Sequence, residues 1–201
     1  MNKLVVLSGA GVSQESGLDT FRDKGGIWEN YSIEDVATPQ AFEKDPEKVL
    51  NFYNERRRQL LHSKPNQAHH YIASLENYYQ VTIVTQNIDN FHEQAGSSNV
   101  IHLHGELLKS KSNYQPDKIY NQNKDIRLGD SDDEGNQLRP HVVWFGEAVP
   151  LMPVAIEACQ EADVALVIGT SLQVYPAAGL IDELSEDTKV YLIDPDPQVN
   201  P

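Results

Sequence analysis

Short runs of branched apolar residues alternate along the chain with longer amphipathic stretches. The apolar runs predict strands over 4–7, 81–84, 100–102, 142–144, 164–168 and 190–193. The amphipathic stretches predict helices over 11–16, 46–63, 68–78, 152–161 and 177–184. Most strand runs are continuously apolar, as in strands covered on both faces of a parallel sheet. Strand–helix alternation then predicts an α/β fold with a doubly wound, Rossmann-like parallel sheet. Two stretches stand outside that pattern. Residues 25–79 are mostly helical, and 106–139 are polar with almost no apolar periodicity. Both read as insertions at one end of the sheet, forming a smaller, mostly helical lobe. The expected division is 1–24, 80–105 and 138–201 for the sheet domain, with 25–79 and 106–137 for the lobe. Within the second insertion, 130–136 (Asp-Ser-Asp-Asp-Glu-Gly-Asn) reads as a mobile loop.

Composition narrows the class without identifying it. At 201 residues, 39% hydrophobic and 23% charged, the chain suits a soluble globular protein with one large core or two small ones. No apolar stretch nears the ~18 residues of a membrane span, and no signal peptide is visible at the N-terminus. The single cysteine, Cys159, excludes an internal disulfide and a four-cysteine zinc site. No metal is expected, and the expected compartment is the cytoplasm. The net charge of −14 argues against nucleic acid as a partner. It is compatible with basic protein substrates, although solubility alone accounts for it.

Candidate chemistry gathers at the carboxyl ends of the expected strands, where open α/β sheets bind ligands. The first strand runs into Ser8-Gly9-Ala10-Gly11-Val12-Ser13. Glycines there let backbone N–H groups approach a pyrophosphate, or they simply make a tight turn. Thr20-Phe21-Arg22 follows, placed to close over a cofactor or to act as a core aromatic beside a surface arginine. The second strand ends in Thr85-Gln86-Asn87-Ile88-Asp89, suited to ribose hydroxyls or a carboxamide, and also to a helix N-cap. The third ends in His102-Leu103-His104-Gly105. Alternation sends both histidines to one face, and His104 is the candidate general base. The late strands end in Gly169-Thr170-Ser171 and in Asp194, an acid placed for a ribose. His62, His69, His70, His92 and His141 lack metal-ligand spacing and read as surface or packing residues. Tyr53 and Arg56 share a helix face and could clamp a carboxylate. By spacing alone, the run Arg56–Arg58 reads as a solvated face.

Taken together, these motifs resemble the sirtuins, the NAD-dependent protein lysine deacylases. The resemblance rests on 9–13, Thr20-Phe21-Arg22, 86–89, His104-Gly105, Val143-Trp144-Phe145-Gly146-Glu147 and 169–171, in the family's order over most of the chain. It extends to the branch that removes succinyl and malonyl groups, through Tyr53-x-x-Arg56 and Ala37 before Thr38-Pro39. Ala37 would leave room in the acyl pocket, and Arg56 with Tyr53 would hold the acyl carboxylate. The resemblance implies NAD as cofactor, held by Gly9, Ala10, Gly11, Ser13, Thr20, Phe21, Arg22, Trp28, Gln86, Asn87, Ile88, Asp89, Gly169, Thr170, Ser171 and Asp194. It implies catalysis by His104 with Asn87 and Asp89. Acylated-lysine proteins or peptides would be the partners, with 142–147 pairing to their backbone as an added strand. The products would be free lysine, nicotinamide and 2′-O-acyl-ADP-ribose. Three departures stand out. No zinc cysteines occur in 106–139, Asp194 replaces the family's usual asparagine, and the family runs on through one more strand and helix. Two alternatives accompany this reading: an ADP-ribosyltransferase or NAD glycohydrolase, and a non-catalytic NAD-sensing module.

Overall fold

The computed structural model describes residues 1–18 and 31–194. Eight strands occur among them, numbered along the chain. They are β1 (Lys3–Ser8), β2 (Gln80–Thr85), β3 (Val100–His102), β4 (Gly105–Ser112), β5 (Tyr120–Asn121), β6 (Leu138–Val142), β7 (Val164–Ile168) and β8 (Lys189–Ile193). The α-helices are α1 (Ile33–Val36), α2 (Pro39–Lys44), α3 (Pro46–His62), α4 (Gln67–Ser74), α5 (Phe91–Gln94) and α6 (Met152–Gln160). The expected helices at 11–16 and 177–184 are 3-10 helices, Ala10–Ser16 and Ala177–Glu183.

Strands β3-β2-β1-β7-β8 form one parallel sheet in that order, with Leu4 opposite Val81 on one side and Val164 on the other. The continuous apolar runs have the expected cause. Leu4 and Val6 pack with Ile83, Val12 and Ile72 on one face. Val5 and Leu7 pack with Val84, Val167, Cys159 and Leu180 on the other. The chain leaves β1 toward β2 on one side and returns to β7 on the other, which opens a crevice beyond their carboxyl ends.

A second core lies apart from the sheet. Helix α3 begins at a proline capped by Asp45, whose side chain accepts from Lys48 N at 3.0 Å. It buries Val49, Leu50, Phe52, Tyr53 and Leu60 against Leu107, Ile126, Val142 and Trp144. It faces a three-stranded antiparallel sheet, β5-β4-β6, in which β4 and β5 come almost wholly from the second insertion, where the sequence pattern predicted no strands, and β6 from the residues just after it. Its inward positions explain the miss. Gly105, Ser110 and Ser112 of β4 are buried, so the alternation carries almost no apolar signal.

Three further expectations are corrected. The strand expected at 142–144 is the end of β6, which stops at Val142. The expected mobile loop 130–136 is pinned by Asp132, whose buried carboxylate accepts from Glu134 N, Asn136 N and the Asn136 side chain at 2.9–3.1 Å. Those bonds hold the Asp132 pKa well below the usual carboxylate range, together with the Ser112 hydroxyl, the largest contributor. The run Arg56–Arg58 is not one solvated face. Arg58 is exposed and pairs with Asp125, whereas Arg57 is fully buried. Arg57 donates to Leu107 O at 3.1 Å and to Asn54 Oδ1 at 2.6 Å, tying α3 to β4.

Candidate active site

The glycines ending β1 and β7 interlock. A Cβ on Gly9 would lie 2.7 Å from Gly169 O, and one on Gly169 would lie 2.3 Å from Val12 N. Gly169 also has φ +60°, a backbone state that favours glycine. The N–H groups of Gly9 and Gly11 already donate to Ile168 O and Gly169 O at 3.2 and 2.9 Å. The first role of these glycines is therefore to let two strand ends meet, a correction to the expectation that those N–H groups face a phosphate. Gln86 Nε2 donates to Thr170 Oγ1 at 2.9 Å and ties the end of β2 to the same junction. Ala10 lines the crevice beside it, and Ser171 is half-buried.

Behind Ala10 runs a buried polar network. Ser13 Oγ donates to Asp89 Oδ2 at 2.9 Å and accepts from Asn87 Nδ2 at 3.1 Å. Asp89 Oδ1 accepts from Phe91 N at 3.1 Å. Burial raises the Asp89 pKa, while the Phe91 and Ser13 donors oppose the shift. His69 reaches Ser13 Oγ at 3.4 Å, and His92 reaches Ser8 Oγ at 3.0 Å. The two imidazoles meet edge-on with centroids 5.1 Å apart. They are packing residues, as expected. That they back Ser13 and the end of β1 is something no spacing in the sequence discloses, because four separate segments bring these groups together.

The two histidines of β3 and its edge hold successive carbonyls. His104 Nδ1 lies 3.0 Å from Gln86 O, and His102 Nδ1 lies 3.1 Å from Asn87 O. A carbonyl only accepts, so the proton of neutral His104 sits on Nδ1 and leaves the Nε2 lone pair free. Burial lowers the His104 pKa, against the opposing Gln86 carbonyl. The imidazole is thus neutral near pH 7, the state a general base requires. Burial also disfavours charge on His102, yet the Glu93 carboxylate at 2.7 Å and the Asn87 carbonyl outweigh it and raise that pKa.

Beside the polar network opens a cavity that is continuous with solvent. Ser13, Asn87 and Asp89 line one side, and Phe52, Tyr53 and Arg56 another. The cofactor candidates and the carboxylate-clamp candidates therefore share one space. Buried Tyr53 accepts a hydrogen bond from Trp144 Nε1 at 3.0 Å, and no described residue accepts the phenol's own proton. Burial raises its pKa strongly. Arg56 sits over the Phe52 ring at 4.8 Å, and its Nε and Nη1 are buried without hydrogen-bond partners among the described residues. Glu55, 3.8 Å from Nη2, is the carboxylate paired with this guanidinium among the described residues.

Ala37 lies elsewhere. It is buried against the Trp144 side of the second core, and its carbonyl accepts from Phe145 N at 3.0 Å. The segment expected to add a substrate strand is largely self-satisfied. Val143 N donates to His104 O, Trp144 N to Glu147 Oε2 and Glu147 N to Trp144 O. Gly146 turns the chain at φ +89°. A full ladder over 142–147 is thus replaced by a folded turn. Asp194 is half-buried just after β8. Thr20, Phe21, Arg22 and Trp28 lie outside the described residues. No cluster of three potential metal ligands occurs among the described residues.

The profile of the Sir2 family matches residues 9–176. The chain belongs to the Sir2 family. A protein named NAD-dependent protein deacylase from Helicobacter pylori is 54% identical over 195 residues, covering 97% of this chain and 85% of its own length. One of the same name from Bacteroides thetaiotaomicron is 52% identical over 203 residues, covering 98% and 87%. The crystal structure of a Sir2 homologue–NAD complex superposes with a TM-score of 0.88 at 42% identity, covering 96% of this chain and 78% of that one. A Sir2 mutant with a deacetylated p53 peptide and 3′-O-acetyl ADP-ribose superposes at 0.83 with 33% identity, covering 96% and 81%. The sirtuin resemblance, the Rossmann-like sheet, the enzyme class and the NAD cofactor expected from the motifs all agree with these relatives.

Proposed function

We propose that this Sir2 protein, an NAD-dependent protein lysine deacylase, prefers acidic acyl groups such as succinyl and malonyl. The observation that carries the preference is a set of three buried donors on one cavity with no acceptor among the described residues. They are Arg56 Nε, Arg56 Nη1 and the Tyr53 hydroxyl. Unpaired buried donors are costly, and a carboxylate is the acceptor suited to a guanidinium and a phenol on one wall. A guanidinium suits that task because it stays charged and presents a planar fork.

The crevice fits NAD. It lies beyond the ends of β1 and β2, where Ser13, Asn87 and Asp89 line it with polar atoms. Those residues, with Ala10, Ile88, Gln86, Gly169, Thr170, Ser171 and Asp194, are proposed to hold the cofactor. When bound, NAD supplies an activated ribose carbon for the acyl oxygen. Asn87 and Asp89 orient that end of the cofactor. His104 accepts a proton at Nε2 while Nδ1–H stays on Gln86 O, which fixes its ring. The products are nicotinamide, free lysine and 2′-O-acyl-ADP-ribose. The same proposal keeps the division into sheet domain and small lobe, acylated proteins or peptides as partners and a cytoplasmic setting. No described helix is long and apolar enough to cross a membrane.

The test compares NAD-dependent release from succinyl and acetyl versions of one peptide, with products weighed by mass spectrometry. Succinyl should be preferred, and Arg56→Met should abolish that preference, since losing one desolvated charge pair costs about 2–5 kcal/mol. Equal rates for both acyl groups would refute the preference. Nicotinamide release undiminished without acyl peptide would instead favour a glycohydrolase.

A further inference from the structure

Tyr53 has one hydroxyl to spend, and its partner is fixed from behind. Trp144 is buried, and its indole Nε1–H donates to the Tyr53 oxygen at 3.0 Å. The two rings are tilted by 35°, with centroids 6.4 Å apart, and the indole N–H reaches the phenol oxygen between them. A phenol hydrogen lies in or near the ring plane. A donor occupying one side of the oxygen leaves the other side for that hydrogen. With its oxygen engaged as acceptor, Tyr53 is left to act as a donor.

Trp144 cannot easily turn away. The Arg139 guanidinium lies 3.2 Å from the indole centroid. Arg139 is itself held by Glu147 through two bonds, of 2.7 and 3.0 Å. The same carboxylate accepts from Trp144 N at 2.8 Å, so one ion pair clamps both the backbone and the ring of Trp144.

We infer that Trp144 is a specificity-determining positioning residue, whose indole N–H orients the Tyr53 hydroxyl to donate its proton to the carboxylate of an acidic acyl group. This rests on the acidic-acyl reading above. A neutral acyl group has no carboxylate to receive that proton and gains little from it.

Trp144→Phe keeps an aromatic face for Arg139 and removes the N–H. The experiment measures kcat and KM for succinyl and acetyl peptides in the wild type, Trp144→Phe, Tyr53→Phe and the double variant. Trp144→Phe should raise the succinyl KM by about tenfold, the order expected for one hydrogen bond, with kcat for that peptide little changed. In the Tyr53→Phe background it should cause no further loss of succinyl-over-acetyl selectivity. Benzothienylalanine at position 144, an isostere with sulfur in place of the N–H, should reproduce the effect if Trp144→Phe folds poorly. An unchanged selectivity ratio, or losses that multiply in the double variant, would overturn the inference while leaving the acidic-acyl reading intact. A wild type with no succinyl preference would overturn both.

Discussion

His69 and His92 are 0% and 1% exposed, and desolvation lowers their pKa values from 6.5 to about 4 and about 3. Neighbouring imidazoles push the same way, His70 on the first and His69 on the second. The unfolded chain therefore binds more protons in acid, and stability must fall as pH drops below 6.5. At pH 5 the cost of keeping each ring neutral is about 2 kcal/mol relative to pH 8, or about 4 kcal/mol for the pair. His102 and Asp89 work in the opposite sense, because both pKa values are raised in the folded state. Their stabilisation is present in acid and lost as pH rises. The useful quantity is thus the change in the pH-dependent drop when one ring is removed. His92→Gln keeps a nitrogen near Ser8 Oγ, which His92 Nε2 meets at 3.0 Å. Urea unfolding at pH 8 and pH 5 should show a drop about 2 kcal/mol smaller in His92→Gln than in the wild type. Equal drops in the two proteins would refute the argument that burial holds this imidazole neutral.

Two further outcomes follow from the geometry around the site. Gly105→Ala places a Cβ 2.1 Å from His141 O at φ +80°, so the backbone next to His104 must shift. The variant should lose at least about 2 kcal/mol by urea unfolding and should lose turnover with it. Glu147→Gln removes the carboxylate that pairs with Arg139, which is 1% exposed. It should cost about 2–4 kcal/mol, below the fully buried limit because Glu147 is partly solvated, and the change should appear in the denaturation midpoint.

The sheet domain was legible in the amino-acid order because its physics is local. Strands β1, β2 and β7 are covered on both faces, so nearly every position is apolar and the run itself is the signal. Asp45 before Pro46 marks the start of α3 for the same reason, since a cap acts within one turn. The motif residues at strand ends were equally visible, because a parallel sheet puts its carboxyl ends on one side. What stayed hidden depends on partners distant in sequence. Strand β4 turns Ser110 and Ser112 inward, so its burial is satisfied by hydrogen bonding and packing that no hydropathy pattern records. Ser110 Oγ, for example, donates to the Gln122 side chain at 3.1 Å. Arg57 looks like its charged neighbours until α3 meets β4 and supplies Leu107 O. Gly9 and Gly11 are readable as necessary, but Gly169, more than 150 positions away, is why a side chain would not fit. Trp144 and Tyr53 are separated by 91 positions, and only the closed second core brings indole and phenol within a hydrogen bond. Local order specified which residue types were on hand. Folding alone determined which polar atoms found a partner and which were left facing the cavity, because desolvation acts on the assembled surroundings and not on the chain order.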